Sequence, residues 1–200
     1  MINDSDVLFP HVIWKGNIDN LDNNVIKEYA LEKIKNKRTN PLMKDERPWD
    51  STDLFLEECS EVQELVDKLN DCMTLICEDV GFHAVQLYNI WINRNPPGVE
   101  NPVHTHLHHD GRLGALFSGV WYLDADENLD QGDIIFERSD KSEMHIPKLL
   151  IKEVTSYNIP RTQYKSKLND LYIFNSWIPH RVSKNNSDKD RFSISFNYGV

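Results

Sequence analysis

A chain of 200 residues and 23.4 kDa is long enough to bury a core without a metal or disulfide staple. Its 40% hydrophobic and 27% charged residues are ordinary for a soluble globular domain. With 22 basic against 32 acidic side chains, the net charge of -10 argues against a protein built to neutralise nucleic-acid phosphates or to lie on an anionic membrane.

The opening MINDSDVLFP carries two aspartates where a secretory leader would have a basic start. The longest stretch free of Asp, Glu, Lys and Arg, Val80 to Asn93, is 14 residues, too short to span a bilayer. Cys59, Cys72 and Cys77 are an odd number in or beside one predicted helix, which suggests reduced thiols of a cytoplasmic protein rather than a disulfide framework or a Cys-x-x-Cys metal site. From Asn24 to Lys37, Val25, Ile26, Tyr29, Ala30 and Ile34 recur at helical spacing. A second helix is expected from Ser60, where Ser-Glu-Val-Gln has capping-box form and Val62, Leu65, Val66, Leu69, Met73, Ile76 and Val80 form one stripe ending at Gly81.

From Phe82 onward, short runs rich in aromatic and β-branched residues alternate with turn residues. Strands are expected at 84–93, 103–106, 116–123, 133–136, 152–159, 170–175, 179–182 and 191–198. The turns at 95–98 (Asn-Pro-Pro-Gly) and 184–187 (Lys-Asn-Asn-Ser) are the clearest. About eight strands without intervening helices suggest a jelly-roll sandwich or barrel. The expectation is one mainly β domain over 1–200, with 1–82 as helical support and 83–200 as the β core.

Four of the eight histidines fall in the segment HTHLHHDG. Residues two apart on a strand point to one side, so His104 and His106 can present both imidazoles to one metal, and His108 with Asp110 repeats the spacing. One strand supplies too few ligands, and His180, in NSWIPHRV, is the candidate distal ligand. Such a set leaves open positions, which suits catalytic non-haem iron, although zinc also accepts three imidazoles. Eleven residues further on, Arg191 and Ser193 share a strand face in RFSISFNYGV and can bind a carboxylate through a guanidinium fork and a hydroxyl. The last 60 residues hold 10 basic and 5 acidic side chains, so the acidic protein has a cationic end suited to a small anion.

With these residues in view, the chain resembles the Fe(II)- and 2-oxoglutarate-dependent oxygenases, in particular a small group from marine bacteria and their phages. The resemblance is carried by LFPHVIW, WINRNPPG, the histidine strand, FSGVWYLDADE, GDIIFERSD, IFNSWIPHRV and RFSISFNYGV in that order. It implies a double-stranded β-helix with Fe(II) and the co-substrate 2-oxoglutarate at one end of the barrel. It matches His104 to the first metal histidine, His180 to the distal one, Arg191 and Ser193 to the residues that hold the distal carboxylate, and Tyr122 to a tyrosine that helps them. The wider superfamily has Asp or Glu two residues after the first histidine. His106 stands there, and His108 with Asp110 offers a second register. Asn169-Asp170 replaces a glycine turn common among relatives.

The implied activity is oxidation of a small molecule or a protein side chain, with release of succinate and carbon dioxide. Trp91, Asn93 and Trp121 are candidate substrate contacts near the barrel mouth. A cupin-like zinc protein without oxygenase activity is the alternative. Nucleic-acid substrates are disfavoured by the charge, and oligomeric state stays open, a homodimer included. A phage-encoded protein would act in the host cytoplasm.

Overall fold

A computed structural model of the chain describes residues 11–39, 47–106, 114–140 and 147–199. The first helix, α1, runs Asn23–Thr39. Asp22 starts it, its carboxylate accepting from the amides of Asn24 and Val25 at 3.1 and 3.3 Å. Ile26, Ala30 and Ile34, four residues apart, form its buried stripe. The second helix, α2, runs Ser60–Val80, and Gly81 ends it in the left-handed region at φ 75°. Its stripe from Val62 to Cys77 is buried, and a fully buried leucine such as Leu65 or Leu69 contributes about 1.5–3 kcal/mol. The expected capping box is not formed. Ser60 is already inside the helix and donates to Glu61 Oε2, while the carbonyl of Cys59 accepts from the amides of Val62 and Gln63.

Among the described residues ten strands follow one another as β1 (Ile13–Asn17), β2 (Asp50–Asp53), β3 (Gln86–Asn95), β4 (Asn101–His104), β5 (Ala115–Asp124), β6 (Ile134–Glu137), β7 (Arg161–Tyr164), β8 (Asp170–Asn175), β9 (His180–Val182) and β10 (Arg191–Gly199). They form a six-stranded sheet, β1-β8-β5-β10-β3-β2, and a four-stranded sheet, β4-β9-β6-β7, with every pairing antiparallel. The architecture is mainly β with two helices, a double-stranded β-helix.

Two expectations are corrected by this arrangement. The segment 152–159 is a run of turns, because Thr155 accepts backbone bonds from Asn158 and Ile159 while the Asn158 side chain ties Thr155 and Glu153 together. The strand that pairs with β6 is β7, starting at Arg161. The first 82 residues are not purely helical: β1 and β2 form the two edges of the large sheet, so the presumed support and the β core share one sheet. Asn169 takes φ 67° before β8, a left-handed conformation that asparagine adopts more readily than most residues.

Two cores flank the large sheet. One packs α1 and α2 against its outer face through Phe117, Trp121, Leu123, Phe192, Ile194, Phe196 and Tyr198. The other lies between the sheets and joins Val120, Tyr122, Tyr172 and Phe174 to Ile134 and Phe136. Along β10 the alternate residues Arg191, Ser193, Ser195 and Asn197 all line the cavity between the sheets. A central strand with an apolar face toward the helices and a polar face toward an interior cavity marks where the chemistry lies. Among the described residues no helix is long and apolar enough to cross a membrane.

Candidate metal centre and anion pocket

The pairing of β4 with β9 sets His104 opposite His180. Two residues on, the amide of His106 bonds to the carbonyl of Ser176, which returns its ring to the same cluster. One ring nitrogen from each of His104, His106 and His180 lies within 4.8 Å of the others. The ring centroids are 4.3 Å apart for His104 and His180, 5.0 Å for His106 and His180, and 5.2 Å for His104 and His106. The competing pair His108 and Asp110 lies outside the described residues.

Each histidine also meets a protein acceptor at Nδ1. The carbonyl of Pro102 lies 2.9 Å from His104, that of Ile178 2.9 Å from His180, and Oδ1 of Asn197 2.7 Å from His106. A proton held at Nδ1 puts the lone pair on Nε2, the tautomer a metal ligand needs. His180 is 5% exposed and packs against the rings of Phe174 and Phe136. Burial first, then its two histidine neighbours, push its pKa down to about 3, so its imidazole is neutral at any working pH. Three imidazoles, one shielded and one exposed, fit a divalent transition metal with positions left open.

Deeper between the sheets, Arg191 lies at 2% exposure. One terminal nitrogen donates to the carbonyl of Gly132 at 3.0 Å and the other to Oδ1 of Asn95 at 2.7 Å. Its Nε has no hydrogen-bond partner, and Asp133 favours its charge through space. Gly132 is at φ 90°, and a Cβ there would meet the Ser183 carbonyl oxygen at 2.4 Å, so this position holds glycine and directs its carbonyl at the guanidinium. A buried cation with an unpartnered donor is costly unless an anion completes it. The ring of Tyr122 lies 5.6 Å from the guanidinium carbon, and burial above all raises the Tyr122 pKa to about 12, so the phenol keeps its proton as a donor. Ser193, on the same face of β10, is also buried and lines the cavity. Burial likewise works against the charge on Arg191 and so favours an anionic partner.

The cavity measures about 940 Å³ and includes both the histidine cluster and the Arg191 pocket. Trp91 and Asn93 of β3 line it. The Trp91 ring is 5.7 Å from that of His106, and Asn93 Nδ2 donates to Ser195 Oγ at 3.0 Å. Trp121 does not line it, which corrects the expectation of a substrate contact. On β5 the residues Val120 and Tyr122 face the cavity, so Trp121 between them turns to the helix layer, fully buried. The sequence reading missed Asn95, Ser118, Ser195 and Asn197. The period-two row Arg191, Ser193, Ser195, Asn197 carries the signal for the last two.

A family model described as "Putative 2OG-Fe(II) oxygenase" matches residues 89–197. Solved structures share the fold at low identity. A Pseudomonas putida prolyl-4-hydroxylase aligns with a TM-score of 0.63 at 15% identity, covering 94% of this chain and 92% of that one. A viral collagen prolyl hydroxylase from Paramecium Bursaria Chlorella virus-1, in complex with 2-oxoglutarate, gives 0.65 at 12%, covering 94% and 96%. The non-haem α-ketoglutarate-dependent carbocyclase SnoK from nogalamycin biosynthesis gives 0.64 at 13%, covering 94% and 79%. No curated protein matches the sequence.

Proposed function

Because the chain belongs to the 2OG-Fe(II) oxygenase family, and is therefore a non-haem iron enzyme that uses 2-oxoglutarate, we propose that it hydroxylates a C–H bond of a small molecule or a protein side chain. In this reading His104, His106 and His180 hold Fe(II), with His106 rather than Asp110 in the third position. Arg191, helped by Ser193 and Tyr122, holds the far carboxylate of 2-oxoglutarate. Iron and co-substrate together supply the oxidising chemistry: dioxygen is consumed, the keto acid leaves as succinate and carbon dioxide, and one oxygen atom goes to the substrate.

The protein's own part is positional. Arg191 offers Nε and its remaining terminal N–H groups to the carboxylate, the Tyr122 phenol and Ser193 hydroxyl add neutral donors, and Ile134, Phe174 and Val182 wall the cavity with apolar surface that excludes water. Trp91 and Asn93 stand where a substrate beside the histidine cluster would meet them. A peptide or small metabolite suits the acidic protein better than a nucleic acid. The three free cysteines agree with a reducing compartment such as the cytoplasm.

The observation that carries this reading is the buried Arg191 with its unpartnered Nε in the same cavity as three imidazoles. The test is succinate formation from 2-oxoglutarate with Fe(II) and ascorbate. Absence of both uncoupled turnover and 2-oxoglutarate binding refutes it. The donor set alone suits zinc equally well, and a protein isolated with tightly held zinc that ignores 2-oxoglutarate would establish the zinc-binding alternative.

A further inference from the structure

Two of the three imidazoles take their Nδ1 acceptor from their own segment: His104 from Pro102 and His180 from Ile178, each a backbone carbonyl two residues earlier. His106 differs. Its acceptor is the side-chain oxygen of Asn197, 91 residues later on β10. We propose that Asn197 is a positioning residue that fixes the tautomer and ring orientation of His106, so tying one metal ligand to the strand that carries the co-substrate residues Arg191 and Ser193. The proposal rests on the metal reading of His106.

The amide is placed with its carbonyl end toward the imidazole. Its Nδ2 donates to Asn89 Oδ1 at 2.8 Å, and its Oδ1 accepts from Ser118 Oγ at 2.7 Å. Ser118 Oγ in turn lies 2.8 Å from Ser176 Oγ and 3.0 Å from His106 Nδ1. Asn197 and Ser118 are buried, so the network is shielded from competing water. The register between β10 and β3 shifts just after Asn197, a β-bulge of the kind that aims a side chain beside a site. A free neutral imidazole prefers its proton on Nε2, the nitrogen a metal would use from this side. A fixed acceptor at Nδ1 reverses that preference before metal arrives. A neutral amide does so without adding charge, whereas a carboxylate there would lower the net charge of the centre.

The test reads the tautomer directly, by nitrogen-15 correlation spectra of the metal-free full chain, alongside Co(II) titration. His106 is expected with its proton on Nδ1 in the wild type. Asn197→Leu should shift it toward the Nε2–H form and weaken Co(II) binding about 10–100-fold. Asn197→Asp keeps an acceptor oxygen and should restore both the tautomer and Co(II) binding. The proposal is overturned by an Nε2–H tautomer in the wild type, by unchanged Co(II) affinity in folded Asn197→Leu, or by equal losses in the two variants. If Asn197→Leu does not fold, the wild-type spectrum and Asn197→Asp still decide. A wild-type protein with the Nδ1–H tautomer that binds no Co(II) overturns the metal reading and this proposal with it, while leaving the hydrogen bond itself intact.

Discussion

Arg191→Met removes a guanidinium that is 2% exposed, holds the Gly132 carbonyl and the Asn95 amide, and has an unpartnered Nε. In the complex with 2-oxoglutarate it would form a buried, charge-assisted pair. Removing one partner of such a pair costs about 3–5 kcal/mol. That corresponds to roughly 10²–10⁴-fold in Kd, with the lower end expected if the Tyr122 and Ser193 hydroxyls still reach the carboxylate. The stability of the co-substrate-free protein should change little. Losing a buried charge that burial disfavours helps folding, and leaving the Gly132 and Asn95 oxygens without their donor opposes it. Anaerobic calorimetric titration of 2-oxoglutarate onto the Co(II)-loaded protein measures the first effect, and Co(II) titration without co-substrate measures whether the metal site survives. Wild-type affinity for 2-oxoglutarate in the variant, or a proportional loss of Co(II), would refute the division between anion pocket and metal centre.

Other outcomes follow from the same geometry. The unfolded chain protonates its imidazoles near the ordinary 6.5, whereas folded His180 does so only at about 3. Between those values the unfolded state binds the extra proton, so the metal-free protein should lose roughly 1 kcal/mol of stability per pH unit as pH falls below 6.5. Urea unfolding from pH 7 to 5 shows this slope, and His180→Gln should flatten it. Co(II) at 100-fold over its dissociation constant should add about 2.7 kcal/mol, raising Tm by roughly 5–10 °C, with reversal by a chelator; no shift would argue against a metal centre. Trp121→Ala should destabilise by about 3–5 kcal/mol because it empties the packing between β5 and the helices. Trp91→Ala, in the half-buried cavity wall, should cost much less stability by thermal melting and act on substrate turnover instead.

What was legible beforehand depended on whether the signal was local. The stripe of α2 and its glycine stop read correctly because helical spacing and a left-handed terminus are written within 21 residues. β1 and β2 were not legible. Ile-Trp-Lys-Gly-Asn and Asp-Ser-Thr-Asp are edge strands without alternation, and they become strands only through pairing with β8 and β3. Ser60 is not the cap: the capping-box pattern allows the bond without requiring it, and Cys59 stands at the helix start, its carbonyl accepting the first amides.

The sequence by itself determined the chemistry available: a His-x-His pair, a distal histidine, an Arg-x-Ser strand and a charge distribution that leaves the cationic residues near the end of an acidic chain. Period-two alternation also made it certain that Arg191 and Ser193 would share a face. Tertiary structure alone decided which residues meet. The pairing of β4 with β9 brings His104 to His180, the antiparallel neighbours of β10 set Asn95 and Tyr122 around Arg191, and the direction of β5 turns Trp121 away from the cavity that Tyr122 faces. The reason is physical: alternation fixes faces within one strand, whereas proximity between strands depends on register and sheet order, which no single segment encodes.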